Sequence, residues 1–193
     1  TYHQVNALDE VLLSENFYNE LGELIEKNLH SEDQGQSFAQ SVDYRYNIRG
    51  WLTNINNAQL ANTANNEDTQ QAQDYWGMEL GYNSDLGLNL PTSHLQYNGN
   101  ISAIKWSDQL GANQRAYTYQ YDPMNRLVTA DHSTIGQPNT NAYDVAIGTT
   151  TNPGYDLNGN LTQLTRTGKS GLIDQLTYTY GDHGNQLQYV EDP

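Results

Sequence analysis

Five histidines, His3, His30, His94, His132 and His183, are the side chains best able to bind a metal or move a proton near neutral pH, but they are scattered without ligand spacing. His183 reads as the decoration of a turn. The 23 acidic residues supply carboxylate pairs, Asp182 with Glu191 or Asp43 with Asp74, of the kind that serve as acid and base in a glycosidase. At that abundance such pairs arise by chance. Asp156-Leu157-Asn158-Gly159-Asn160 alternates oxygen-bearing side chains as a calcium loop does, yet it lacks the later glycine and the closing bidentate glutamate. The turn reading outweighs the calcium one. No serine sits in a nucleophile elbow and no glycine-rich loop opens a helix. Cysteine is absent, which removes disulfides, thiolate ligands and a cysteine nucleophile. Trp51, Trp76 and Trp106 could stack on a sugar. Trp51 and Trp106 follow a repeating pattern, however, so packing is the stronger reading for those two. The residues lead to an expectation of no catalytic, metal or cofactor site.

Composition says what kind of scaffold would carry them. The 193 residues are enough for one ordinary domain, but only 36% are hydrophobic; Phe numbers 2 against 15 Tyr and 16 Gly. Tyr buries a large ring while keeping its hydroxyl near water or a partner, so this mixture suits thin, half-wet β layers. Gly and Asn supply the tight turns that many short strands require. The formal charge of −15 repels nucleic-acid phosphates and anionic membrane faces, and no Lys/Arg stripe overrides it. Nucleic acid is excluded as a partner. No apolar run approaches the ~18 residues that a membrane-crossing helix needs, so no membrane insertion is expected. The acid excess reads first as a solubility device. The chain starts at Thr1 and stops directly after a strand-like run, and is expected to be part of something longer.

Six stretches share one plan. Each begins with an aromatic strand, passes through Asn or Asp and then Gly or Asn, and resumes at Leu or Ile. The motif residues are Tyr18, Gly22 and Leu24; Tyr46, Gly50 and Leu52; Tyr97, Gly99 and Ile101; Tyr121, Asp122, Arg126 and Leu127; Tyr155, Asp156, Gly159 and Leu161; and Tyr180, Gly184 and Leu187. In four of them the aliphatic follows the tyrosine by six positions, while the third is two residues shorter and the sixth one longer. The motif tyrosines stand 24 to 51 residues apart, so the array carries insertions, at about 57–74 and 137–153. A helical turn or two is conceivable over Thr69–Tyr75, though a surface loop reads better. Trp76–Leu95 is expected to be irregular strand and loop.

Tyr117-Thr118-Tyr119-Gln120-Tyr121 alternates like a strand with tyrosines on one face. The Asp or Asn that follows can cap a turn through backbone amides, and the later Gly or Asn can take the positive φ that such a turn needs. In five repeats another aliphatic comes three residues after the closing one: Ile55, Ile104, Ala130, Leu164 and Val190. A spacing of three breaks strand alternation, implying either a bulge or burial on both faces. A lone hairpin is marginal, so neighbours must pair side by side, and the edges of the resulting strip must be hidden by curling or by further repeats.

On these motifs the chain resembles the YD-repeat, or RHS, family, whose pattern is Tyr-Asp-x-x-Gly-Arg or Asn-Leu followed by a short apolar strand. Tyr155-Asp156-Leu157-Asn158-Gly159-Asn160-Leu161-Thr162 is the clearest match, and Tyr121 to Leu127 keeps Arg126 with Asn125 in the glycine place. Ile48-Arg49-Gly50-Trp51-Leu52 and Tyr97-Asn98-Gly99-Asn100-Ile101 look like bacterial members. The resemblance covers roughly residues 16 to 191. It implies an all-β fold in which tandem hairpins form a curved, spiralling antiparallel strip, one array over 1–193 within a shell completed by the rest of the parent polypeptide. It also implies a secreted or cell-surface location and, in bacterial members, an enclosed C-terminal toxin. The aspartyl self-cleavage region of such shells has no convincing copy here, since Asp122-Pro123 and Asp192-Pro193 lack flanking glycines. The first reading is therefore a structural wall segment without enzymatic activity. The alternative is an adhesive module that binds glycan through exposed Tyr and Trp, above all Trp76.

Overall fold

In the computed structural model, residues 1–3, 10–60, 74–111, 113–149, 151–181 and 184–193 are described. They form thirteen strands and one short 3-10 turn. The strands are β1 (Tyr2–His3), β2 (Val11–Tyr18), β3 (Leu24–Ser31), β4 (Gln40–Tyr46), β5 (Leu52–Ile55), β6 (Trp76–Gly81) and β7 (Ala103–Asp108). They continue as β8 (Arg115–Tyr121), β9 (Leu127–Thr134), β10 (Val145–Ile147), β11 (Gln163–Gly168), β12 (Gly171–Tyr180) and β13 (Leu187–Glu191). The 3-10 turn is Thr92–His94. The fold is an open, all-β antiparallel sheet whose strand order is the chain order, β1 through β13. Trp76–Leu95 is part strand, β6, and part turn. The stretch expected as a second insertion contains β10, which pairs with β9 on one side and β11 on the other. The expected insertion at 57–74 lies largely outside the described residues, as do Asp182 and His183.

Contacts divide the chain into two units, Thr1–Gly81 with Lys105–Gln114, and Tyr82–Ile104 with Arg115–Pro193. In the first unit Leu12, Phe38, Ala58 and Leu80 are buried. Where β5 ends, Asn56 stands in for a strand: its Oδ1 accepts the Asp43 amide at 2.8 Å and its Nδ2 donates to the Trp76 carbonyl at 2.8 Å. An isolated carboxylate and ammonium would be costly in so dry a place, and here they pair, Lys105 Nζ lying 2.9 Å from Glu79 Oε2. In the second unit Tyr82, Ala103, Ala116, Ala130 and Ile147 are buried. Across both units the largest side chains with essentially no exposure are Ser31, Ser41 and Ser102. The interior is thin, and its small side chains leave room for tyrosine rings beside them.

The register explains the spacing of three. Tyr121 faces Leu127, but Gln120 faces Thr129, so Val128 is an extra residue in the second strand. Tyr119 then faces Ala130. Because Tyr119 and Tyr121 share a face, so do Leu127 and Ala130, three apart only because a bulge separates them. The same slip puts Tyr44 opposite Ile55 and Tyr178 opposite Val190. Of the two readings the sequence left open, these hairpins adopt the bulge. The repeat without an aliphatic at that place has Asn16 opposite Lys27.

Candidate functional site

Four turns share one hydrogen-bond pattern. Their first residue, Asn19, Asn47, Asp122 or Asp156, uses its carbonyl to accept the amide three positions on, at 2.8–3.1 Å. Its own amide donates to the carbonyl four positions on, at 2.9 Å. Its side-chain Oδ1 accepts two more amides, those of Leu21 and Glu23, Arg49 and Trp51, Met124 and Arg126, or Asn158 and Asn160, all at 2.8–3.1 Å. The fourth residue takes positive φ: Gly22 79°, Gly50 74°, Asn125 63° and Gly159 87°. This is a type I turn closed by a left-handed residue, and only Gly or Asn occupies that place here.

The fifth residue often closes the clasp from its side chain. In the first turn Asn19 Nδ2 donates to Glu23 Oε2 at 2.7 Å; in the fifth Asn160 Nδ2 donates to Asp156 Oδ2 at 2.7 Å. In the fourth, Arg126 donates through Nε and NH2 to Asp122 Oδ2, each at 2.6 Å. The Asn160 side-chain bond, with amides of Asn160, Asn158 and Gly159, outweighs burial and holds the Asp156 carboxyl below its usual range. Burial works against ionisation of Asp122, but hydrogen bonds from Arg126 and the Met124 amide reverse it and lower its pKa. The oxygens that a calcium ion would need at Asp156 are engaged inside the turn.

The motif tyrosines join one repeat to the one before. Tyr46 Oη donates to the Leu24 carbonyl at 3.0 Å, Tyr121 to Ile101 at 2.8 Å, Tyr155 to Leu127 at 2.8 Å and Tyr180 to Leu161 at 2.9 Å. In each case the acceptor is the closing aliphatic residue of the preceding motif. Two amides reinforce the link, Tyr119 to the Ser102 carbonyl and Tyr178 to that of Thr162, both at 2.9 Å. At Tyr155 the Arg126 guanidinium also lies over the ring, 4.3 Å from its centre. Each phenol is thus half-buried and donates its hydroxyl to a backbone carbonyl of the preceding repeat, and burial raises the pKa of Tyr46, Tyr121 and Tyr155.

Two repeats depart from the pattern. In the third, Gly99 with φ 101° follows Asn98 directly, Asn98 Oδ1 accepts the Asn100 amide at 3.0 Å, and Tyr97 is 64% exposed outside any strand. In the sixth, Tyr180 faces Leu187, the Gly181 amide donates to the Gln186 carbonyl at 3.0 Å and Gly184 has φ 95°. Another turn was not read from the sequence: Asp85 accepts the Gly87 amide on Oδ1 and the Asn89 amide on Oδ2, both at 3.1 Å. Ser84, and not a tyrosine, stands directly before Asp85, so the aromatic-Asp or aromatic-Asn step that marked five of the six repeats is missing.

The remaining candidates are dispersed. His3 is exposed, His30 Nε2 lies 3.3 Å from Glu32, and His94 closes the 3-10 turn. Asp43 lies within β4 and Asp74 just ahead of β6, whereas of the pair Asp182 and Glu191 the second ends β13 and the first falls outside the described residues. Among the described residues no three acidic or histidine side chains gather as a metal site. Trp51 lies under the Arg49 guanidinium at 4.9 Å and Trp76 is partly exposed on β6. No helix among the described residues is long and apolar enough to cross a membrane.

No family model and no curated protein matches the chain. Solved structures do. A complex described as TcdB2-TccC3-Cdc42 aligns over 99% of this chain at 14% identity with a TM-score of 0.45. A TcdB2-TccC3-TEV structure aligns over 95% at 13% identity and TM-score 0.30, and the Photorhabdus luminescens Tc holotoxin pore carrying a TccC3 mutation over 95% at 14% and 0.29. The chain spans only 11–12% of the length of these proteins.

Proposed function

We propose that this chain is a wall segment of a YD-repeat (RHS-type) shell, secreted or at a cell surface, that encloses a C-terminal toxin or effector and has no active site of its own. The observation that supports this reading most directly is the tyrosine relay: four motif hydroxyls each donate to the closing residue of the repeat before. A relay of this kind makes each hairpin depend on its predecessor, as a strip built by edge-to-edge addition requires. The polar groups that might have done chemistry are instead occupied in turns, Asp122 and Asp156 above all. The shell's curvature, its closure and its cargo belong to the proposal, and rest on the motif resemblance.

Limited proteolysis of the full-length parent protein tests it. In the wild type a C-terminal region should resist protease until the wall is denatured. The double variant Tyr121→Phe/Tyr155→Phe should release that protection at lower denaturant. A C-terminal region cleaved at the same rate in the intact protein and after unfolding would overturn the enclosing role.

A further inference from the structure

Asn is followed by Gly twice in the chain, and both times inside the same frame: Tyr97-Asn98-Gly99-Asn100 and Leu157-Asn158-Gly159-Asn160. Such a pair carries its own chemistry. A backbone amide nitrogen is normally screened by the side chain of its residue. Glycine has none, so its nitrogen is open to attack the asparagine carboxamide one residue back, a reaction that makes asparagine thermolabile. The flanks of the two sites are nearly alike, so the structure around each decides which one reacts.

Both asparagines are exposed, but the bonds around them are opposite. In the fifth turn the nucleophile is engaged. The Gly159 amide donates to the Asp156 carbonyl at 3.1 Å, and the Asn158 amide donates to Asp156 Oδ1 at 2.9 Å, which fixes the peptide in the turn. Among the described residues no donor reaches the Asn158 side-chain oxygen. In the third repeat it is the electrophile that is engaged. Asn98 Oδ1 accepts the Asn100 amide at 3.0 Å, a bond that folds the carboxamide over the Gly99 peptide, polarises its carbonyl and supports the oxyanion that attack creates. The Gly99 amide meets no acceptor among the described residues. Its φ of 101° reserves the position for glycine, so the residue the turn requires is also the one that bares the nitrogen.

We propose that Asn98 is a self-modification site, converting to aspartate and isoaspartate while Asn158 is preserved by its turn. The Gly99 nitrogen gives its proton to water or hydroxide and bonds to Asn98 Cγ. The Cγ–Nδ2 bond breaks, and the nitrogen leaves as ammonia with a proton from solvent. Water then opens the five-membered imide at either carbonyl, giving aspartate or an isoaspartate whose main chain is one methylene longer; nothing is oxidised or reduced. Either product lacks the Nδ2 donor that now reaches Asn125 Oδ1 at 2.7 Å, so a carboxylate faces an acceptor there. Asn125 is the positive-φ residue of the fourth turn, and the other contact to it, from Asn100 Nδ2 to its carbonyl, is a long 3.4 Å. The modification therefore unlinks the third turn from the fourth. It does not depend on the wall reading.

Peptide mapping by mass spectrometry after incubation of this chain in warm, mildly alkaline buffer tests the assignment, following the exchange of NH for O at each asparagine. A hydrogen bond of ordinary net strength on the Gly159 amide corresponds to a factor of about five, so Asn98 should convert about fivefold faster than Asn158 or more. In denaturant the two rates should converge, because the frames match. Asp156→Ala loosens the fifth turn and should raise the rate at Asn158 without changing that at Asn98. The converted fraction, separated by ion exchange, should lose hydrogen-exchange protection at the Asn125 amide and keep it at Gly159. Equal or faster conversion of Asn158 in the folded chain, a ratio that persists in denaturant, or an Asn158 rate untouched by Asp156→Ala would each overturn the proposal. Unchanged protection at Asn125 would overturn the unlinking of the turns.

Discussion

Hairpins β2–β3 and β8–β9 use the same turn and the same bulge and differ in almost everything placed around them. Asn19 and Asp122 each accept two amides on Oδ1, and Gly22 and Asn125 both take positive φ. Beyond the bulge β2–β3 faces Asn16 with Lys27, whereas β8–β9 faces Tyr119 with Ala130. The Tyr18 hydroxyl accepts a long 3.5 Å contact from Asn16, while that of Tyr121 donates to the previous repeat at 2.8 Å. Burial, together with neighbouring Tyr121 and Tyr117, pushes the Tyr119 hydroxyl up to about 12. The turn is therefore a local module that any surroundings accept, and the coupling between repeats is a separate property carried by the tyrosines. The two can be broken independently.

The largest difference should come from the turn's first residue. Asp122→Ala strands the Met124 and Arg126 amides and the Arg126 guanidinium, and is expected to cost about 2–3 kcal/mol in chemical denaturation. Asn19→Ala strands two amides and removes a neutral amide donor from the Glu23 carboxylate, with no guanidinium involved, and should cost about 1 kcal/mol. Equal losses would show that the arginine clasp adds nothing. Next in size is the relay. Tyr155→Phe keeps the ring under Arg126 and deletes only the bond to Leu127, for about 1 kcal/mol. Tyr18→Phe should be close to neutral. A neutral Tyr155→Phe would remove the relay from the account of stability. A smaller gain is expected from replacing the first hairpin's polar pair with an aromatic and a β-branched residue: Asn16→Tyr with Lys27→Val should stabilise β2–β3 by about 0.5 kcal/mol. A loss would mean that the polar pair is required by what packs on that face.

Much of this contrast was legible before any coordinates. The Asn or Asp, the Gly or Asn after it, and the closing Leu are local signals, because the turn is satisfied by its own amides. The scarcity of Phe beside abundant Tyr pointed to a thin interior, and the largest fully buried side chains among the described residues are serines. The spacing of three could not distinguish a bulge from double burial, since both produce it; the register opposite Tyr119 does. The tyrosine acceptors were out of reach for another reason. They are backbone carbonyls 19 to 28 residues away, and a carbonyl leaves no mark on residue type. His132 looked isolated in sequence because its ring partners, Tyr117 and Tyr143, arrive from β8 and from a loop. Lys105 and Glu79 likewise meet only through the pairing of strands.

Acid separates the hairpins most gently, and through chemistry rather than mutation. Asp122 and Asp156 have pKa values lowered by the bonds of their folded turns, so their contribution is complete above the ordinary value near 3.8 and is lost as pH falls through the lower folded values. Asn19 and Asn47 accept the same pair of amides through a side-chain oxygen that does not titrate. Between neutral pH and about 4, all four turns should behave alike. Below that, amide resonances of Met124, Arg126, Asn158 and Asn160 should shift and lose protection, while those of Leu21, Glu23, Arg49 and Trp51 hold. If the two sets respond together, acid acts on the sheet as a whole, and the carboxylates are no more than isosteres of asparagine in a turn that is held by its backbone.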